Sequence, residues 1–202
     1  MDTRETPITA LFGGEFKTTI RYSGSKASAS LEPFLSVSLD IYAREDPGQV
    51  SSVEDALRLY FAPEKLDGVF NDSTRQEGKA SRFVQIAKPP TVLILHLKRF
   101  RFDGATAHKV VKKISYPPSL EIEEGFLAAT PSGPAKLVYT LTAVVSHHGN
   151  KLHSGHYTVN VRQPTGDWIR LDDHKVERAS ESQVLGEQQT AYLLLYQQEQ
   201  AP

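Results

Sequence analysis

The stretch HSGHYTV at residues 153–159 places two histidines three positions apart, on either side of a Ser-Gly step. The second, His156, opens a run in which polar and apolar residues alternate, which is typical of a β-strand. A histidine placed in this way can act as a general base. A base needs a group to deprotonate, and the chain contains no cysteine. The first question is therefore what His156 would activate.

The residues that follow this histidine predict a β-hairpin. Residues 164–166 read Pro-Thr-Gly, which suits a three-residue loop with glycine last in the left-handed conformation. This loop places Val159 opposite Leu171, and Val161 opposite Ile169. The register collects the aliphatic residues on one face, whereas a slip by one residue would mix the two faces. We expect the aliphatic face to pack on a core and the polar face to meet a cleft or solvent.

The same register makes His156 and Asp172 diagonal neighbours on the polar face, within reach of each other's side chains. A histidine oriented by a carboxylate supplies two members of a nucleophilic triad, because the carboxylate fixes the tautomer and stabilises the imidazolium. The alternative is an exposed cross-strand pair that contributes little. Asp173 is expected on the opposite face unless the strand bulges.

A metal site is a second possible use of these side chains. A zinc ion could take His153, His156 and either His147 or His148, with Asp172 as an oxygen ligand. The spacing is that of a loop, however, and no HExxH helix is present. A polar surface loop is the simpler interpretation, so we expect no metal and no cofactor.

Two further motifs favour structural roles. Ser154 stands close to His156, but no G-x-S-x-G turn surrounds it, which argues against a serine nucleophile. Residues 96–102, HLKRFRF, interleave basic and aromatic residues as some RNA-binding strands do. They do not match the RNA-binding motif, and we interpret them as a strand that leaves the core with charged residues at its exit.

Composition is that of an ordinary globular protein, with 202 residues, 39% hydrophobic and 23% charged. The net charge of −1 gives no reason to expect nucleic acid or an anionic membrane as a partner. No run approaches the roughly 18 apolar residues of a membrane span. The N-terminal residues are polar and do not resemble a signal peptide. We therefore expect a cytoplasmic or nuclear protein.

The element pattern predicts an α+β fold with a largely antiparallel sheet. An apolar stripe over 53–61, capped by Ser52, predicts a helix. Residues 32–43 alternate as one half-buried strand, and residues 67–81 read as a polar connection. Four strands are expected in the last third of the chain: 136–147, 156–162, 168–172 and 190–196.

Six segments occur in a characteristic order: TVLILHLKRFRF, KKISYP, YTLTAVVSHHGN, HSGHYTVNV, DWIRLDDHKV and TAYLLLYQQ. Each is weak alone, but together, in this order and spacing, they resemble the C-terminal part of the ubiquitin-specific proteases. These are papain-like deubiquitinases, and the resemblance covers residues 91–197 closely. Residues 1–202 would then be part of a catalytic domain, with a fingers-like region over about 6–88 and a palm over about 89–198. The first ninety residues are most similar to a cytoplasmic branch whose fingers hold no zinc.

The resemblance implies a role for each candidate residue. His156 matches the general base, Asp172 the residue that orients it, and Asp173 a neighbouring position that assists catalysis in some members. Residues 149–155 and 102–108 match loops beside the C-terminal tail of ubiquitin. The residues implied in tail binding are His147, His148, Gly149, Ser154, Gly155 and Tyr157.

One part of the family pattern is missing from this chain. The nucleophilic cysteine of the family lies in a box on an N-terminal thumb, and this chain has no cysteine. The resemblance therefore implies a thiol-dependent ubiquitin C-terminal hydrolase present as a fragment without its thumb, which alone would be inactive. Its partners would be ubiquitin and ubiquitinated proteins. The alternative is a ubiquitin-binding module that has no catalytic activity.

Overall fold

The fold is mixed α and β, as expected, with mostly antiparallel strands and few, short helices. It divides into two compact units, the first within residues 1–35, 61–91 and 122–137, the second within residues 36–60, 92–121 and 138–202. None of the helices in the described part of the chain has the length and apolarity that a membrane-spanning helix needs. The computed structural model describes residues 6–22, 26–42, 49–71, 75–103, 106–129, 137–149 and 154–199.

The elements of the first unit are α1 (Pro7–Phe12), β1 (Gly14–Tyr22), β2 (Ser28–Phe34), β4 (Glu64–Asn71), β5 (Gln76–Lys88) and a 3-10 turn (Glu124–Phe126). Its strands form a four-stranded antiparallel sheet in the order β2-β1-β5-β4. Its aromatic core includes Phe16, which stacks on Phe34 at 4.0 Å between ring centroids, and Phe61, which stacks on Phe126 at 4.7 Å.

Two sequence expectations for this region are wrong. Residues 67–71 belong to β4 and residues 76–81 to β5, and these two strands pair antiparallel, so the region is not a polar connection. The side chains of β4 are largely exposed, so backbone pairing rather than an apolar pattern holds the strand, and periodicity carries little signal. Residues 32–43 do not form one strand either, because β2 ends at Phe34 and a new strand, β3, begins at Val37 in the second unit.

The elements of the second unit are β3 (Val37–Leu39), α2 (Val53–Phe61), β6 (Val92–Leu97), β7 (Phe100–Asp103), β8 (Thr106–Lys109), β9 (Ser119–Ile122), β10 (Leu137–His148), β11 (His156–Arg162), β12 (Trp168–Asp172), β13 (Lys175–Ala179), α3 (Glu181–Gly186) and β14 (Ala191–Gln198). This unit contains the larger sheet, in the order β13-β12-β11-β10-β14-β6-β3, with β9 paired to β10. Neighbouring strands along this order are antiparallel, except that β3 and β6 run parallel.

The helix expected over 53–61 is present, with the expected cap. The Ser52 hydroxyl accepts a hydrogen bond of 3.1 Å from the backbone N–H of Asp55. The apolar stripe is buried at Val53, Ala56 and Leu57. The four strands expected in the last third are also present within one or two residues of their predicted bounds, whereas β13 and α3 were not predicted.

A buried arginine organises one end of the larger sheet. Arg99 is 0% exposed, and its guanidinium donates to the carbonyl oxygens of Ala191 at 2.5 Å, Gln188 at 2.6 Å and Lys112 at 2.9 Å. Burial lowers the pKa of Arg99 to about 10. Because these carbonyls belong to separate segments, one side chain holds the start of β14 against the chain that follows β8. The prediction that the charged residues after β6 are exposed is therefore only partly confirmed, because Arg99 is buried.

Candidate active site

The predicted hairpin register is confirmed. Val159 pairs with Leu171 and Val161 with Ile169, and the loop is closed by a 2.7 Å hydrogen bond from the backbone N–H of Gln163. Glycine at the last loop position has the expected positive φ of 93°.

The expected burial of the two hairpin faces is wrong. The polar-face residues Thr158 and Asn160 are 3% and 1% exposed, whereas the aliphatic residues Val159 and Leu171 are only half-buried. Tyr157, on the aliphatic face, is 52% exposed. Hydrogen bonds of the Thr158 hydroxyl offset the cost of burying it, and a two-residue alternation cannot reveal such bonds in advance.

The predicted contact between His156 and Asp172 is present. Nε2 of His156 donates to Oδ1 of Asp172 at 2.5 Å, and the side chains are 46% and 38% exposed. This hydrogen bond is the main cause that holds the pKa of the Asp172 carboxyl below its usual value. Since Nε2 is engaged as a donor, Nδ1 is the ring atom that can accept a proton in the neutral histidine.

Asp173 joins this pair because the strand ends there. Its φ of 51° places the backbone in the left-handed region, inside the two-residue loop that connects Asp172 to Lys175. Ligand atoms of His156, Asp172 and Asp173 consequently lie within 4.8 Å of one another. The expectation that Asp173 would point away without a bulge did not allow for this loop.

The zinc ligands considered from the sequence lie in different surroundings. His153 lies outside the described residues. The ring of His147 is 1% exposed and packs at 4.8 Å from that of Tyr157 and 5.3 Å from that of Phe100. The His156, Asp172 and Asp173 group offers three ligand atoms to a cation, although the hydrogen bond to Asp172 occupies one histidine nitrogen.

An aromatic cluster forms around Tyr157, the residue that follows His156. Its rings belong to Phe100, His147, Tyr157 and Tyr192, with neighbouring centroids between 4.8 and 6.4 Å apart. Only His147 and Tyr157 were expected in the site. Phe100 and Tyr192 lie inside the HLKRF and AYLLLY segments, so their motifs offered a signal that periodicity alone did not.

A lysine that was not predicted in the site holds the end of β10. Nζ of Lys109, at the end of β8, donates to the carbonyl oxygens of His147 at 2.8 Å and Gly149 at 2.6 Å. Partial burial lowers the pKa of Lys109. The β7–β8 hairpin is therefore tied to the end of β10, while Gly149 adopts a φ of 107° and Ser154 is exposed.

His148 lies directly across from His156 in the register of β10 and β11. The two ring centroids are 6.3 Å apart. Nε2 of His148 is 2.8 Å from Oγ1 of Thr158, and burial is the main cause that lowers the pKa of His148. His148 is thus a hydrogen-bonded neighbour of the pair rather than an exposed loop residue.

The largely antiparallel sheet, with a histidine and a carboxylate hydrogen-bonded across neighbouring strands, agrees with the papain-like fold expected from the sequence. Comparison with known families makes this specific: residues 1–196 match the model of the ubiquitin carboxyl-terminal hydrolase family. The chain belongs to that family.

Individual relatives agree with this assignment. Ubiquitin carboxyl-terminal hydrolase 10-A of Xenopus laevis is 39% identical over 201 residues, which are 95% of this chain and 24% of the relative. Ubiquitin hydrolase B of Dictyostelium discoideum is 37% identical and is matched over 41% of its length. The chain thus spans between about a quarter and two fifths of these relatives.

A solved structure shows the same fold. The complex described as the SAGA Ubp8/Sgf11/Sus1/Sgf73 DUB module bound to ubiquitin aldehyde contains a chain that superposes with a TM-score of 0.85 at 25% identity. The match covers 100% of this chain and 44% of that one. The division of this chain into fingers and palm, and the role of each site residue, remain predictions.

Proposed function

We propose that this chain supplies the base-bearing part of a thiol-dependent ubiquitin C-terminal hydrolase. The observation that carries the proposal is the hydrogen bond between Nε2 of His156 and Oδ1 of Asp172, at the positions where the family motif has its base and orienting residue. The bond leaves Nδ1 as the proton acceptor and aligns a carboxylate to stabilise the imidazolium.

The proposed reaction needs a nucleophile from outside this sequence, because the chain has no cysteine. A cysteine thiol on a preceding thumb segment would lose its proton to Nδ1 of His156. The thiolate would attack the carbonyl of the terminal glycine of ubiquitin, and His156 would return the proton to the leaving amine. Water, deprotonated by the same histidine, would then release ubiquitin from the acyl-enzyme.

The substrate side of the proposal uses the surface around this pair. The terminal residues of ubiquitin would lie along the exposed ring of Tyr157, beside the segment that contains Gly149, Ser154 and Gly155. His147 and His148, at the end of β10, would hold that segment in place. The partners proposed are ubiquitin and ubiquitinated proteins, and the compartment proposed is the cytoplasm or the nucleus.

A second candidate function is ubiquitin binding without catalysis. The absence of cysteine from the chain favours it, because loss of the nucleophile alone removes most of the activity of a triad. Both candidates require the same tail-binding surface, and they differ in whether His156 performs chemistry.

The test has two arms. The first measures binding of this chain to ubiquitin and to ubiquitin without its terminal glycines, together with turnover of a fluorogenic ubiquitin C-terminal amide. We expect binding that weakens when the tail is shortened, and no turnover.

The second arm fuses the chain to the thumb segment of a relative that carries the cysteine. Turnover that disappears in His156→Gln, with ubiquitin binding retained, would support the enzyme. Binding in the first arm with no turnover in a folded fusion would favour the binding module. Absence of binding in the first arm would overturn the binding module, and absence of turnover in a folded fusion as well would overturn both candidates.

A further inference from the structure

A chain of hydrogen bonds runs from the end of α3 to the strands that carry the histidine–aspartate pair. Glu187 follows α3, and its carboxylate accepts from the hydroxyl of Ser146 on β10 and from Nη1 of Arg170 on β12 at 2.6 Å. Nη2 of the same arginine lies 3.4 Å from Oγ1 of Thr158 on β11. That hydroxyl oxygen is 2.8 Å from Nε2 of His148. Three adjacent strands are thereby tied to one carboxylate.

The side chains that form this chain of hydrogen bonds are mostly buried. Ser146 and Thr158 are 0% and 3% exposed, and the side chains of Glu187 and Arg170 are 13% and 33% exposed. An ion pair with this burial contributes little net stability, yet loss of either partner leaves an uncompensated charge. Its main effect is to constrain geometry, because each atom has a specified partner.

The residues constrained by these hydrogen bonds lie next to His156 and Asp172. Thr158 lies two residues after His156 on β11, and Arg170 lies two residues before Asp172 on β12. Residues two apart share a face of a strand. Each member of the pair is therefore next to an anchored residue on its own strand. The two anchored residues, Thr158 and Arg170, are also hydrogen-bonded to each other.

We propose that Arg170 and Glu187 are positioning residues for the His156–Asp172 pair and act through Thr158. Without them, the two strands still pair through their backbones, but the side chains on the polar face no longer have fixed positions relative to one another. That His156 is a general base rests on the proposed function. The positioning concerns only the hydrogen bond to Asp172 and does not require catalysis.

The chain of hydrogen bonds also bears on the charge of His148, the cross-strand neighbour of His156. A guanidinium only donates, so the Thr158 oxygen accepts from Arg170 and its own proton is available to Nε2 of His148. When Thr158 donates this proton, His148 is neutral, and burial also lowers the pKa of His148. A neutral ring 6.3 Å away adds no positive charge beside an imidazolium at His156. The charged or titratable groups that face His148 are Glu187, Arg170, His156 and Lys109.

The test reads the tautomer of His156 in this chain. Ring ¹⁵N chemical shifts are measured at mildly alkaline pH, where imidazoles are neutral. We expect the wild-type chain to show the proton held on Nε2. In Glu187→Gln, we expect a mixture of tautomers. The matched control is Glu177→Gln, because Glu177 is the direct cross-strand neighbour of Arg170 and is exposed, and it should leave the His156 shifts unchanged.

A merely structural role would lower the midpoint of thermal unfolding and leave the His156 tautomer of the folded protein unaltered, and that result would overturn the proposal. If Glu187→Gln does not fold, the comparison of Thr158→Ser with Thr158→Val decides. We expect serine, which keeps the hydroxyl, to preserve the wild-type shifts, and valine to lose them. Identical shifts in both Thr158 variants would also overturn it. Failure of ubiquitin turnover, by contrast, would count only against the proposed function.

Discussion

Gly155 lies against the imidazole of His147, so closely that a Cβ atom at position 155 would overlap the ring and come within 2.6 Å of the carbonyl oxygen of His148. The glycine that precedes His156 is therefore required by the close approach of the β10 end. His147 is buried and cannot move aside without disturbing Phe100 and Tyr157.

Gly155→Ala should consequently destabilise the chain by about 1–3 kcal/mol, as overpacking of a tight site does. It should also weaken the proposed binding of the ubiquitin tail, because the residues directly before His156 must shift. Urea denaturation and ubiquitin titration measure the two effects. Gly186→Ala is the matched control, since a Cβ there meets nothing within 4 Å. Equal stability of the two variants would contradict the steric argument.

Arg99→Met should be among the most destabilising substitutions in the chain. The carbonyls of Ala191, Gln188 and Lys112 would each lose a donor in a buried setting. The Gln188 carbonyl keeps the backbone N–H of Ile114 as a donor, but the loss of three hydrogen bonds from a charged group should still cost about 3 kcal/mol in total. Arg178→Met, on the exposed face of β13, should remain within about 0.5 kcal/mol of the wild type. Denaturation curves of the two variants give the comparison, and a small loss for Arg99→Met would contradict the anchoring role of its guanidinium.

Substitutions at Asp173 can separate the effect of its backbone conformation on stability from the effect of its charge. Its φ of 51° is tolerated by aspartate, asparagine and glycine better than by alanine. Asp173→Ala should therefore lower the free energy of unfolding by about 1 kcal/mol, whereas Asp173→Asn and Asp173→Gly should leave it nearly unchanged. Thermal unfolding of the three variants checks this order. If alanine were as stable as glycine, backbone conformation would not explain the residue at this position.

Stability should fall as the pH decreases from about 7 to about 5. Burial lowers the folded-state pKa of His96, His147 and His148, so the unfolded chain binds more protons once the pH passes below the ordinary histidine value of about 6.5. Urea denaturation across this interval measures the slope, which His148→Gln should reduce.

Asp172 affects a different pH interval. Its folded-state pKa is depressed, so its contribution is present above the unfolded value near 3.9 and is lost as the pH falls further. A stability that stays constant between about 7 and about 5 would contradict the histidine argument without bearing on Asp172.

Local patterns in the sequence determined much of this protein. The 53–61 helix follows from an apolar stripe and a serine cap, and the β11–β12 register follows from one loop glycine and an aliphatic alternation. Because that register is local, the meeting of His156 and Asp172 could be deduced without any knowledge of the rest of the chain.

Only the tertiary structure decided what surrounds that pair. The β10 segment that carries His148 reaches Thr158 through the sheet, and Glu187 reaches Arg170 from the end of a helix that was not predicted. These hydrogen bonds give partners to the Thr158 hydroxyl, which is buried although alternation predicts an exposed face. Side-chain partners distant in sequence leave no periodic trace, since a two-residue or 3.6-residue pattern records which residues share a face and not which element covers it.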